Sequence, residues 1–291
     1  MSPETSGFVE KAAEIAREAG ALVLSYFKRG VKTEYKGESG VDLVTEADRS
    51  SEKLIVERLR AAFPRHDIVG EEGTRTSSGA GEYRWYVDPV DGTTNFAHGF
   101  PVFCVSMGLE RVSSSDQKQA QIVGGVIYDP TRDELFTVER GRGAKLNDAP
   151  IHVSRTKTLG ESLIATGFPS KKRHENPNIY FYQEITLHSH GVRRAGAAAL
   201  DLAYTACGRF DGYWEFNLNP WDVSAGILLV EEAGGKVTQF NGAPFELRTP
   251  REIVASNGVI HRELLDRFAR IFAGEVDELP SVAEYIKQRN S

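Results

Sequence analysis

The chain has only two cysteines in 291 residues, Cys104 and Cys207, and they form no Cys-x-x-Cys pair. That excludes a disulfide framework and makes a reducing compartment the simplest expectation. Long apolar runs are missing as well. The stretch 225–230 ends at charged residues, far short of the roughly 18 residues needed to span a bilayer. The opening Met1-Ser2-Pro3-Glu4-Thr5 has no basic segment followed by an apolar one, so no secretory signal is expected and the expected location is cytoplasmic. Positive charge is not in excess: 35 Lys and Arg stand against 41 Asp and Glu, a net −6. This argues against nucleic-acid binding through a basic surface and against adhesion to an anionic membrane. Several phosphate-handling signatures are absent too. No Gly-x-x-x-x-Gly-Lys-Ser/Thr loop occurs, and Gly141-x-Gly143 lacks the third glycine and the strand–helix setting of a dinucleotide site. Where a cysteine phosphatase needs an arginine after its nucleophile stand Glu110 and Tyr213.

What is present is the composition of a globular protein, 40% hydrophobic and 26% charged, long enough for two domains or one large layered unit. Residues 8–28 place Phe8, Ala12, Ile15, Ala19, Leu22 and Tyr26 at alternating spacings of four and three, which predicts a helix with one apolar face. A second helix is expected from near Thr45 to before Pro64. Short runs rich in β-branched and aromatic residues follow at 67–70, 84–87, 102–109, 122–128 and 134–138, which predicts an antiparallel sheet packed on those two helices. Residues 141–148 read as turns and set the expected boundary between an N-terminal α+β half, 1–145, and a C-terminal α/β half, 146–291. Beyond it, strands at 163–166, 212–215, 236–240 and 253–256 alternate with helices at 179–188, 197–207, 222–233 and 259–273. Such alternation favours a partly parallel sheet with helices on its faces. Loops are expected at 76–81 and 113–115, and the tail after Gly274 is expected to be loosely held.

The most informative segment is Trp85-Tyr86-Val87-Asp88-Pro89-Val90-Asp91-Gly92-Thr93-Thr94-Asn95-Phe96. A strand runs into an Asp, Pro89 removes a sheet donor, a second Asp follows three positions later, and Gly92 permits an unusual backbone angle. Two carboxylates on a tight turn suit Mg²⁺, which shares its shell with phosphate and water, and N–H groups at a helix start suit the phosphate itself. An ordinary Asp/Gly turn with capping threonines fits the same letters. Glu71-Glu72, Asp222 and Asp48 are also ambiguous taken singly, as a loop acid, an N-cap and the acid of a capping box in Thr45-x-x-Asp48.

Taken together, four segments decide the matter: Asp42-Leu43-Val44-Thr45-Glu46-Ala47-Asp48, Gly70-Glu71-Glu72, the block from Asp88 to Phe96, and Trp221-Asp222 through Glu232-Ala233-Gly234-Gly235. In order and spacing they resemble the inositol monophosphatase family of Mg²⁺-dependent, lithium-sensitive phosphatases, over nearly the whole chain. The resemblance implies a sugar-phosphatase fold, a layered αβαβα sandwich, and hydrolysis of inositol monophosphate. It implies that Glu71, Asp88 and the Val90 carbonyl bind one Mg²⁺, that Asp88, Asp91 and Asp222 bind a second, and that a third, weaker ion sits near Glu71. Thr93 matches the hydroxyl that orients the attacking water, and Asp48 the acid that accepts its proton. Gly92 and Thr93 would offer N–H groups to the phosphate, and Lys36 matches a lysine near the water.

For the alcohol part of the substrate, the resemblance points to Asp91, to Gly196-Ala197-Ala198 and to Glu215, with Ala197 standing where relatives often carry Ser or Thr. Carboxylates accept hydrogen bonds from sugar hydroxyls. Arg193-Arg194 reads as facing substrate, a subunit partner or a salt bridge, and Lys171-Lys172-Arg173-His174 as an exposed loop. His188-x-His190 has no evident third metal ligand. Histidinol phosphate is the runner-up substrate, with fructose bisphosphate and NADP behind it. A homodimer is expected, without membrane or direct nucleic-acid binding. A role as a binding partner of transcription or ribosome machinery is the alternative of another class.

Overall fold

The computed structural model describes residues 4–30, 33–36, 42–77, 81–112, 121–168, 176–248, 252–279 and 281, with backbone alone at 4–6, 33–36 and 42–44. The expected loops 113–115 and 171–174 and the Lys36 side chain therefore lie outside the described residues, as do 78–80 of the expected loop 76–81.

Helix α1 (Glu4–Arg29) buries Val9, Ala12, Ile15, Ala16, Ala19 and Val23. The apolar stripe is thus rotated slightly from the expected one, with Phe8 and Tyr26 only partly covered at its edge. A hairpin of β1 (Thr33–Lys36) and β2 (Asp42–Thr45) leads into α2 (Glu46–Ala62). Thr45 caps α2 in the expected box: its hydroxyl accepts from the Ala47 and Asp48 N–H groups, while Asp48 accepts from the Thr45 N–H at 2.9 Å.

The first sheet contains β3 (Asp67–Gly70), β4 (Arg75–Thr76), β5 (Tyr83–Asp91), then, after the short helix α3 (Thr93–Ala97), β6 (Cys104–Arg111), β7 (Gln121–Asp129), β8 (Glu134–Glu139), β9 (Gly143–Leu146) and β10 (Ala149–Pro150). These eight strands run in the order β10-β9-β8-β7-β6-β5-β3-β4. The sheet is antiparallel as expected except at one place, where β3 and β5 run parallel. The 141–148 stretch is not all turn: Gly143–Leu146 is a strand paired with β8, and the sheet continues to Pro150, past the boundary expected at 145/146. Turn residues directly after it, Asn147 and Asp148 at φ 46° and 67°, masked this short strand.

The second sheet is built from β11 (Leu163–Thr166), β12 (Gly191–Arg193), β13 (Gly212–Phe216), β14 (Lys236–Thr238) and β15 (Glu252–Ser256), in the order β12-β11-β13-β15-β14. Its helices are α4 (Asn178–Leu187), α5 (Ala198–Ala206), α6 (Pro220–Glu232) and α7 (His261–Phe272). β11 pairs parallel with both neighbours and β15 antiparallel with both of its own, the mixed sheet that the alternation implies.

Strand alternation sorts the side chains into three cores. Val105, Met107 and Leu109 of β6 pack on α1 and α2, whereas Ile127 of β7 and Phe136 of β8 join α5 and α6. Tyr213, Ile253 and Ala255 of the second sheet reach the same middle core from the other side. Trp214 and Val254 point away from it, into a cluster with Phe181 of α4 and Phe268 of α7. The result is five layers, α1/α2, first sheet, α5/α6, second sheet and α4/α7. Val223 to Val230 of α6 are all buried, as a helix enclosed between two sheets requires.

Of the tail after Gly274, residues 280 and 282–291 lie outside the described residues, and the described part is anchored at Asp277. Asp277 accepts from His188 Nε2 at 2.7 Å, and its own N–H and carbonyl bond Glu184 and Gln183 of α4.

His261, fully buried at the start of α7, shows how a titratable group tests this packing. Thr238 Oγ1 donates to the Gln239 carbonyl, so it accepts from His261 Nε2–H at 2.9 Å, and Ser256 Oγ supplies the donor to Nδ1 at 2.8 Å. Burial, aided by Lys236, pushes its pKa down to about 4, below the 6.5 of an exposed imidazole. The unfolded chain therefore takes up a proton between pH 6.5 and 4 that the native chain refuses, and stability falls as pH drops through that window. In urea unfolding, His261→Gln should lose about 1–2 kcal/mol less than the parent between pH 7.5 and 5. Equal losses would show that His261 does not titrate in this way.

Candidate active site

Two acids of the resemblance sit on one strand and are brought to one face by an irregularity in it. Asp88 and Asp91 are three residues apart, which on a regular strand sends their side chains to opposite faces. The pairing with β6 slips between them: Asp88 faces Ser106 and Asp91 faces Cys104, so two residues of β5 oppose one of β6. This bulge returns Asp91 to the face of Asp88. Pro89 sits within it, and the Ser51 hydroxyl of α2 donates to the Pro89 carbonyl at 3.1 Å. The strand ends at Gly92, whose φ of 95° and lack of a Cβ are both needed, since a Cβ there would lie 2.7 Å from the Val102 carbonyl.

Glu71 arrives through the parallel pair. Gly70 of β3 lies beside Val87 of β5, and the Glu71 N–H donates to the Val87 carbonyl at 3.1 Å, so Glu71 emerges next to Asp88. The Asp88 carboxyl is pushed well above the usual range, first by burial and then by the charges of Glu71, Asp91 and Asp222, and it hydrogen-bonds Glu71 directly. Asp222 comes from the second half. It stands in the first turn of α6, where its Oδ2 accepts from the Asn219 N–H at 2.6 Å. The N-cap is therefore Asn219, and Asp222 is the answering acid of a capping box, as Asp48 is on α2. Burial lifts Asp222 to about 7, with Asp91 adding to the rise, and burial lifts Asp91 to about 6.

Asp91 also ties the halves together. Its carboxylate accepts from the Ala198 and Ala199 N–H groups at the start of α5, at 3.2 and 2.7 Å, with Cys104 Sγ at 3.6 Å. The Ala198 N–H is thus directed at Asp91. Asn95 fastens the same junction: its Nδ2 donates to the Val102 and Ala195 carbonyls, both at 2.8 Å. Sequence reading quoted Asn95 within the motif without assigning it this task.

Thr93 and Asp48 meet as the resemblance implies. Thr93 Oγ1 lies 3.0 Å from Asp48 Oδ1 and 3.0 Å from the Val90 carbonyl. Asp48 Oδ2 accepts from both the N–H and the hydroxyl of Thr45, so one oxygen caps the helix and the other faces the site. Burial raises the Asp48 pKa against the pull of these donors.

On the far wall, Glu215 is buried on β13 and accepts from the Tyr213 hydroxyl at 2.6 Å. Burial pushes it up to about 8, with Asp222 and Asp91 adding to the rise. Behind it lies Asp201 of α5, fully buried, neither oxygen bonded, its pKa raised chiefly by burial and then by Glu215. Nothing in the residue pattern had singled out Asp201. Ala197 is buried and presents only a methyl group, while Arg194 is exposed and donates to the Phe168 carbonyl at 3.3 Å.

The donor set fits hard divalent cations: Glu71, Asp88, Asp91, Asp222 and the Val90 carbonyl are all oxygen, and the acids resist ionising together. Among the described residues, the one group of three acidic or imidazole ligand atoms gathered within 4.8 Å lies elsewhere, at Glu184, His188 and Asp277. Arg267 already supplies the positive charge there, donating to Glu184 at 2.9 Å and lying 3.2 Å from His188 Nδ1. His188 thus belongs to an ion-pair network that anchors the tail.

Comparison with known proteins identifies the family. The model of the inositol monophosphatase family matches residues 6–273. An inositol-1-monophosphatase of Synechocystis sp. is 44% identical over 263 residues, 90% of this chain and 88% of that protein. Nus factor SuhB of Pseudomonas aeruginosa is 42% identical over 87% of this chain and 93% of its own length. Among solved structures, the inositol monophosphatase of Anabaena superposes with a TM-score of 0.80 at 41% identity, covering 97% of this chain and 99% of that one. Matched by the family model over residues 6–273 and by relatives more than 40% identical over most of both chains, the chain belongs to the inositol monophosphatase family.

Proposed function

We propose that the chain is a Mg²⁺-dependent phosphomonoesterase that hydrolyses inositol monophosphate to inositol and phosphate. The observation that carries the reading is the convergence of Glu71, Asp91 and Asp222 on the buried Asp88, whose pKa their charges raise. In this reading Glu71, Asp88 and the Val90 carbonyl would hold one cation, Asp88, Asp91 and Asp222 a second, and Glu71 would help with a weaker third. Bound there, the cations supply positive charge to the phosphoryl oxygens and acidify water. The chain does the rest. Thr93 Oγ1, fixed between Asp48 and the Val90 carbonyl, orients the attacking water and passes its proton to Asp48. Backbone N–H groups of Gly92 and Thr93 receive the phosphate, while Asp91, the Gly196-Ala197-Ala198 turn and Glu215 select the alcohol. The first sheet and its helices carry most of the ligands, and the second half contributes Asp222 and the selecting groups.

With Ala197 offering no hydroxyl, the polyol contact rests more heavily on Glu215, and histidinol phosphate stays the runner-up substrate. Among the described residues no helix is long and apolar enough to cross a membrane. We place the enzyme in the cytoplasm as a homodimer. The Nus-factor name of the Pseudomonas relative supports a second reading, a binding partner in transcription.

Phosphate release separates these readings. Turnover of inositol 1-phosphate should require Mg²⁺ and exceed that of histidinol phosphate, fructose 1,6-bisphosphate and NADP. Release that ignores Mg²⁺ across the whole panel gives the case to the binding partner. Asp91→Asn should keep the fold and lose on the order of 10²-fold or more in kcat/KM. Thr93→Ala should lose 10²- to 10⁴-fold, roughly the range of general-base catalysis, and Asp48→Asn added to it should cost little more. Lithium should inhibit by competing for a cation position; full activity at high lithium weighs against this branch of the family.

A further inference from the structure

Helix α2 carries a second buried acid one turn beyond Asp48. Glu52 is 4% exposed, and both of its oxygens are spent on the turn that follows β3. Oε2 accepts from the Glu72 N–H at 2.8 Å and Oε1 from the Thr74 N–H at 3.1 Å. The turn wraps so closely that a Cβ on Gly70 would collide with the Glu52 carboxylate. Glu71 stands directly before these anchors, between Gly70 and Glu72. Its own N–H is fixed to Val87, and its carboxylate meets Asp88. The outer side of the turn is held as well. Arg75 donates to the Gly70 carbonyl and to the Thr74 carbonyl at 2.7 Å, and its guanidinium lies 5.3 Å from the centre of the Trp221 ring, the residue before Asp222.

We propose that Glu52 is a positioning residue that presets the Glu71 turn for cation binding, by holding the N–H groups of residues 72 and 74 from inside the protein. This rests on the reading of Glu71 as a cation ligand. The physical reason is that a partly exposed acidic turn beside Asp88 is pushed outward by like charge when no cation is present. Two charge-assisted bonds from a buried, helix-mounted carboxylate oppose that drift and reduce the ordering left for the ion to impose. Glu52 does not reach the substrate or the reacting phosphate, so its effect is felt in cation affinity before turnover. Arg75 and Trp221 extend the same hold to the α6 end, and so link the turn to the helix that carries Asp222.

The test is calorimetric titration of Mg²⁺ into metal-free protein, with thermal unfolding and Mg²⁺-dependent phosphate release measured on the same samples. Glu52→Gln should weaken Mg²⁺ binding about tenfold, raise the Mg²⁺ concentration for half-maximal activity to match, and leave kcat at saturating Mg²⁺ within about threefold. Glu52→Asp separates position from charge, and also serves if the Gln variant does not fold. It keeps the negative charge but is one methylene too short to span both N–H groups, so it too should weaken binding severalfold. Parental Mg²⁺ affinity in Glu52→Asp, or in both variants, overturns the proposal. If the parent protein itself binds no Mg²⁺, what fails is the reading of the acidic cluster as a cation site.

Discussion

Repulsion of the buried Asp88 carboxylate by its acidic neighbours is the constraint on which this structure turns. Asp88 is enclosed, bonded to Glu71 and pressed by Asp91 and Asp222, and each neighbour makes its ionisation harder. A fold gains nothing in stability from such a gathering without compensation, because desolvated like charges cost more than the backbone hydrogen bonds return. A cation is the plain compensation. The same charge that relieves the acids is the charge a phosphoryl group needs during displacement. Stability of the empty cleft and function of the filled one therefore pull against each other.

Much of the architecture around the cleft reads as a response to that tension. The bulge in β5 turns two acids to one side, and the parallel pairing of β3 with β5 delivers a third. Asp48 and Asp222 each divide their work, one oxygen closing a capping box and the carboxyl facing the site. Asp91 reaches across to the first N–H groups of α5, and Asn95 binds carbonyls on both sides of the junction. Rigid backbone groups thus restrain side chains that would otherwise move apart.

The order of helices and strands was legible because their signals are local: the 3.6-residue periodicity of α1, the β-branched runs of β6 and β7, and the Gly and Pro punctuation of the second half. Short strands such as β9 and β12 were not, since three or four residues carry too little periodicity and their pairing is decided by distant neighbours. The acids were singled out through the family motif, and the structural readings fared differently: Asp48 does sit in a capping box, whereas Asp222 is not the N-cap of its helix but the answering acid to Asn219. Sequence could not separate a capping role from a site role because one carboxylate has two oxygens and can serve both. Glu52, Arg75 and Asp201 were invisible for another reason. Each draws its meaning from partners far along the chain, as when Glu52 holds the N–H groups of residues 72 and 74.

The most direct measurement is anomalous diffraction from a crystal of the protein soaked in Mn²⁺ as a stand-in for Mg²⁺. The account predicts peaks between Asp88 and Glu71 and between Asp88, Asp91 and Asp222, and none at Glu184, where Arg267 already sits. A cleft without a peak, its acids turned apart, would contradict it.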